Sequence, residues 1–208
     1  VRRTDSLAKS VALLRASTGE FPRAVCAGVT ETAESGGFEI VLEAEFDASC
    51  QDFTAELAII EAAEPDVIVI VERVQNDLRL ARQLAESSID VGVVVAVAAG
   101  IQGFQDDLSS LAERFVGPSQ WEPDAQHVPD CGPINAQVMV SFARHGHQTV
   151  DYPMAQAYAA GVVLQRCLGE AGSADSQDLR EAAASLQFST FYGNFQIDGE
   201  TGRQIGRE

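Results

Sequence analysis

The stretch Pro65–Asp77, Pro-Asp-Val-Ile-Val-Ile-Val-Glu-Arg-Val-Gln-Asn-Asp, constrains this chain more than any other. Val67–Val71 is an unbroken run of β-branched apolar residues. Such a run predicts a strand buried on both faces, as inside a parallel sheet rather than at a solvated edge. The strand is expected to end where Glu72 and Arg73 replace hydrocarbon with charge. Asn76 or Asp77 is then expected to cap a helix running through Leu78, Leu80, Ala81 and Leu84. In open α/β sheets ligands sit at the carboxyl ends of strands, so the loop Glu72–Val74 is the first place to look for function.

The neighbouring sequence repeats this order. Ser10–Arg15 reads as a strand, followed by the small polar loop Ala16–Phe21 and a helix over about Arg23–Ser35, with Pro22 in its first turn and Gly36-Gly37 as its stop. Phe38–Ala44 is a second strand, Phe53–Ala63 a helix with Phe53, Leu57 and Ile60 at helical spacing, and Val91–Ala98 a further strand. Asp5 or Ser6 can cap a short helix at the start of the chain. Alternating strands and helices predict an α/β fold: a Rossmann-like parallel sheet covered on both faces, with the loops after its strands gathered along one edge. Beyond residue 110 the rhythm changes. Phe115–Pro123 is too proline-rich for a central strand past its first residues, and Glu122–Gly132 is a polar loop. Helices are expected over Ile134–His145, Met154–Gly169 and Ser176–Leu186, and Phe188–Ile197 leads into a hairpin turn at Asp198–Gly202 with strand on both sides.

With 31 acidic and 14 basic residues the net charge is −17, which repels phosphate backbones and argues against nucleic acid as a partner. No run approaches the roughly 18 apolar residues of a membrane span, and no signal peptide pattern is present. Cys26, Cys50, Cys131 and Cys167 form no C-x-x-C motif; two disulfides and four free thiols both remain open. His127 with Cys131, or His145 with His147, falls short of a four-ligand metal set, so no metal is expected. Nor is there a Gly-x-Ser-x-Gly elbow, a dinucleotide fingerprint or a Walker loop, so no cofactor and no enzymatic chemistry is expected.

The segments Asp52-Phe53, Pro65-Asp66, Val116–Pro123, Asp151–Gly161 and Phe191–Asp198 with Thr201–Gln204, in this order and spacing, resemble the second lobe and trailing segments of type I periplasmic solute-binding proteins of the branched-chain amino acid receptor type. The resemblance runs over nearly the whole chain. It implies two Rossmann-like lobes closing on a solute through a hinge, and a chain that holds one lobe (residues 1–112) followed by the hinge crossover, helices of the partner lobe and a returning hairpin segment (113–208), without the first lobe. It also implies a periplasmic or extracellular protein, lipoprotein-anchored or soluble, that passes a small solute (an amino acid or organic acid) to an ABC permease. The same fold serves ligand-sensing domains of receptors and regulators. An exposed lobe surface would favour a homodimer.

Carried over by position, the solute-contacting residues are Ser17, Thr18 and Phe21 after the first strand, Glu72 and Arg73 after the third, Ala98 after the fourth, and Trp121 in the crossover. Each has a plainer reading. Ser17 and Thr18 can cap the following helix, Phe21 can staple onto it, Arg73 can pair in solvent with Asp77, and Trp121 can pack against the hinge. Arg73 suits a carboxylate. Val97–Gly100 lacks the carboxylate that family members use to hold an ammonium, which argues against an α-amino acid unless Glu72 takes that part.

Overall fold

The computed structural model describes residues 7–205. The expected cap at Asp5 or Ser6 lies outside them. After Pro118 the chain divides into two compact units.

The first unit is a five-stranded parallel sheet in the order β2-β1-β3-β4-β5. Its strands are β1 (Ser10–Ala16), β2 (Glu39–Phe46), β3 (Val67–Val71), β4 (Val93–Ala96) and β5 (Phe115–Val116). Every residue of β3 is buried, as the apolar run requires at the centre of the sheet. Strand alternation sends Ile68 and Ile70 to one face and Val67, Val69 and Val71 to the other. The first face packs with Ala12, Leu14, Phe53 and Ile60 beneath α2 (Thr54–Ala63), α3 (Val74–Glu86) and α4 (Gln102–Leu108). The second packs with Val11, Leu13 and Cys26, the last on α1 (Glu20–Ser35). Burying each such aliphatic side chain stabilises by about 1.5–3 kcal/mol, so β3 serves two cores at once.

At the amino end of the sheet Asp66 ties β1 to β3. Its Oδ2 accepts from Lys9 N–H (2.7 Å), Ser10 N–H (2.9 Å) and the Ser10 hydroxyl (2.9 Å). At the opposite end, β4 is shorter than the apolar run Val91–Ala98 predicts. It stops at Ala96, and Val97–Gly100 coil into a 3-10 turn. That turn is backed by Gly117, where an added Cβ would lie 2.1 Å from Gly100 N and 2.4 Å from the Ala99 carbonyl carbon. Only glycine fits so close an approach of two backbones. Helix α4 is not foreseen in the sequence.

The second unit holds α5 (Asn135–Arg144), α6 (Tyr152–Ala171), α7 (Ser176–Ser185) and an antiparallel pair, β6 (Phe188–Thr190) and β7 (Gly193–Phe195). Asp151 caps α6 by accepting from Met154 N–H (3.1 Å), and Asp175 caps α7 by accepting from Gln177 N–H (2.8 Å). Trp121, Val138, Val150, Ala155, Ala159 and Phe191 make its core. Past the turn at Asp198–Gly202, a single antiparallel bridge joins Ile197 to Gln204. All four cysteines are free thiols.

The three hydrogen bonds to Asp66 hold its carboxyl below the usual carboxylate range, the Lys9 and Ser10 amides contributing most. A carboxyl lowered in the folded state adds stability above its ordinary 3.8 and loses it as pH falls through its folded value. Asp66→Ala should therefore lower the urea unfolding midpoint at neutral pH, and the gap from the wild type should close in strong acid.

Candidate functional site

The carboxyl ends of β1, β3 and β4 are adjacent in the sheet, and six of the expected site residues sit on or just after them. After β1, the Ser17 N–H donates to the Phe46 carbonyl (2.8 Å), which fixes where the loop leaves the sheet. The α1 N-cap is Gly19, at φ 103°, and no side chain bonds the helix end. Capping by Ser17 or Thr18 is thereby corrected: the helix begins at Glu20, one or two residues after the start that such a cap would set, and glycine supplies the turn. Phe21 is 55% exposed, which is not the packed-down position of a staple. Half-buried Ser17, exposed Thr18 and exposed Phe21 thus stand along the rim with uncommitted side chains.

After β3 the two charged neighbours part company. Glu72 is 6% exposed and Arg73 is exposed. Arg73 is the N-cap of α3, its carbonyl accepting from Asn76 N–H (3.0 Å) and Asp77 N–H (3.1 Å). The expected cap at Asn76 or Asp77 is therefore corrected as well, since both residues lie inside the helix. Asn76 is 5% exposed; its Nδ2 donates to the Ala48 carbonyl (2.8 Å) and its Oδ1 accepts from Arg79 Nη1 (2.8 Å). Asp77, wholly buried, reaches instead to the turn after β4, where its Oδ2 accepts from the Ala98 N–H (2.9 Å). Asp77 and Arg73 form no ion pair, and among the described residues no ion pair engages Arg73.

Two buried carboxylate oxygens here have no hydrogen-bond partner, Glu72 Oε2 and Asp77 Oδ1. Burial pushes the Asp77 carboxyl from its ordinary 3.8 up to about 7. The Ala98 amide opposes that rise, the negative charge of Glu72 adds to it, and the nearby Glu72 amide again opposes it. The turn Val97–Gly100 carries no carboxylate of its own, yet one is bonded to its backbone from below.

Trp121 lies in the second unit. It is 5% exposed, its Nε1–H donates to Asn135 Oδ1 (3.0 Å), and its ring meets Phe191 edge-on at 6.0 Å. Asn135 in turn donates to the Ala125 carbonyl (2.8 Å). The indole is thus a satisfied core residue of its own unit, with its polar handle used.

Residues 3–207 match the model of a family described as periplasmic binding protein. The chain belongs to that family. Among solved structures similar to this periplasmic binding protein chain is a leucine binding protein from Thermotoga maritima, at 20% identity and a TM-score of 0.82, covering 99% of this chain and 57% of its own. A solute binding protein of an ABC transporter from Rhodopseudomonas palustris HaA2, in complex with p-hydroxybenzoic acid, gives 16%, 0.76, 96% and 54%. A type 1 periplasmic binding protein from Bordetella pertussis Tohama I gives 20%, 0.78, 96% and 56%. At these identities the likeness establishes the fold, that of a type I periplasmic binding protein. The chain spans little more than half the length of these structures.

The residue that sequence reasoning missed is Asp77. Its signal was present, because Asp77, Leu80, Ala81 and Leu84 follow the helical spacing of one buried face. A carboxyl raised in the folded state weakens folding as pH climbs, since the folded chain then holds a proton that the unfolded chain has released. Between the ordinary 3.8 and about 7 this amounts to on the order of 4 kcal/mol at most. We expect wild-type stability, followed by urea unfolding, to decline from about pH 4 to about pH 7 through this group, and Asp77→Asn to lack that part of the decline.

Proposed function

We propose that this chain is part of an extracytoplasmic solute-binding protein that serves an ABC permease, and that it receives a small carboxylate-bearing solute at the carboxyl edge of the first unit. The observation that carries this is Arg73. It is a guanidinium at the end of the central strand, exposed and without an ion pair among the described residues, on an edge whose other open side chains are two hydroxyls and an aromatic ring.

A guanidinium held by the first turn of a helix offers a carboxylate two parallel N–H donors. Ser17 and Thr18 add hydroxyl donors and Phe21 an apolar wall, while Ala98 is buried in the turn after β4. The p-hydroxybenzoic acid and leucine named for similar structures are both carboxylates, which agrees with this reading. Binding and release require no bond making, and the role is that of a carrier rather than an enzyme. Residues 1–112 would form one lobe. Residues 113–208 would supply the crossover and helices that complete the other, together with sequence beyond this chain. The apolar groove of about 480 Å³ along α6 and α7, lined by Leu164, Cys167, Leu179, Tyr192 and Phe195, is the kind of surface the rest of that lobe would cover.

Isothermal titration with p-hydroxybenzoate and with leucine tests the reading. Arg73→Ala is expected to weaken whichever carboxylate binds by about 10- to 100-fold, the loss of one charge-assisted pair. An Arg73→Ala protein that binds as tightly as the wild type overturns the role of Arg73. Failure of the wild type to bind any small carboxylate overturns the function.

A further inference from the structure

Helix α3 and the turn Val97–Gly100 meet at one hydrogen bond, from Ala98 N–H to Asp77 Oδ2 (2.9 Å). The acceptor is wholly buried, and its other oxygen has no partner. Five residues before it, at the end of β3, Glu72 is 6% exposed and likewise keeps one buried oxygen without a partner. A buried carboxylate is costly in such a place without a compensating cation, and among the described residues no ion pair engages either acid.

The charged groups on the elements packed around Asp77 are accounted for. On α3, Arg73 is exposed, Arg79 is bonded to Asn76, and Arg82 lies 3.7 Å from Asp107 of α4. Asp106 and Asp107 of α4 are exposed. In the connection from β2 to α2, Asp47 bonds Ser49 and Asp52 bonds Thr54, both at the surface. Arg15 of β1 is paired with Glu45. The turn itself has no titratable side chain.

We propose that Asp77 is a positioning residue for the solute edge: it holds the Val97–Gly100 turn through Ala98, and its wholly buried carboxyl gains and loses a proton there, so that the turn and the solute it meets respond to pH. The effect on solute rests on the function proposed above; the proton and the turn do not. Protonated, the Asp77 carboxyl carries no charge into its buried place. When that proton is lost to solvent, a buried carboxylate stands behind the turn, and the negative charge of Glu72 adds to its cost. The Ala98 amide is drawn harder to Asp77, and the turn moves with it. Burial raises the Asp77 carboxyl into the neutral range, which puts the change where a solute carrier works. Gly117 leaves the turn no room to retreat on its other side, its Cβ position being only 2.1 Å from Gly100 N.

The test is an amide NMR titration of the protein over about pH 5 to 9, a range that brackets the expected ionisation. The Ala98 resonance should shift with a midpoint near neutrality. Glu72→Gln, which removes the like charge, should move that midpoint to lower pH, and Asp77→Asn should leave Ala98 flat. A flat Ala98 in the wild type, a shift that survives Asp77→Asn, or a midpoint indifferent to Glu72→Gln overturns the proposal. If Asp77→Asn does not fold, the Glu72→Gln midpoint decides alone. Affinity for p-hydroxybenzoate and leucine, measured over the same range, should break at the Ala98 midpoint. Affinity that ignores pH while Ala98 titrates overturns the positioning role. If neither solute binds while Ala98 titrates as expected, the hold of Asp77 on the turn stands and it is the solute-binding reading that fails.

Discussion

The first unit depends on a strand that has no solvent side. Because β3 divides its side chains between two cores, every element around it is placed by contact with it. Its β1 neighbour shares both faces, α1 closes over the valines, and α2, α3 and α4 close over the isoleucines. The strand cannot slip by one residue without exchanging valine for isoleucine in both cores. Its ends are therefore the best-determined points of the unit, and a loop that begins there inherits that precision. The Asp66 clasp fixes the amino end and leaves the carboxyl end, with Glu72 and Arg73, as the only place where β3 meets polar surroundings.

That end shows how one dipeptide serves two purposes. Arg73 turns outward and keeps its donors available. Glu72 turns inward with Asp77, and among the described residues no ion pair matches either of them. Replacing the pair with apolar residues of similar volume would leave no unpartnered oxygen, yet the chain carries two acids there. Such an arrangement is unfavourable for folding and informative about function, because departures from local consistency concentrate at sites.

The central strand was readable to the residue, since Val67–Val71 has apolar composition throughout and charge at its carboxyl boundary. Strand β4 was not. The run Val91–Ala98 stays apolar past the point where pairing with β3 ends, and Val97-Ala98-Ala99-Gly100 turns without proline, asparagine or aspartate to announce it. Asn76 and Asp77 have the composition of a cap, so local preference pointed to the surface. Tertiary contacts with Ala48 and Ala98 took both inward. Trp121 finds its partner fourteen positions away in Asn135, a separation at which no local pattern operates. The edge after β1, by contrast, was legible as a set of open polar and aromatic side chains, and what the sequence hid there was only that glycine makes the cap.

Gly117 has a meaning beyond its tight fit. The back of the Val97–Gly100 turn is formed by main chain against main chain, with no side chain between them. One wall of the proposed solute edge is therefore peptide surface, whose shape changes little with amino-acid identity. Discrimination among solutes is then left to a rim of few positions, Phe21 and Arg73 foremost. Related proteins could change what they carry by exchanging that rim while keeping the same main-chain backing.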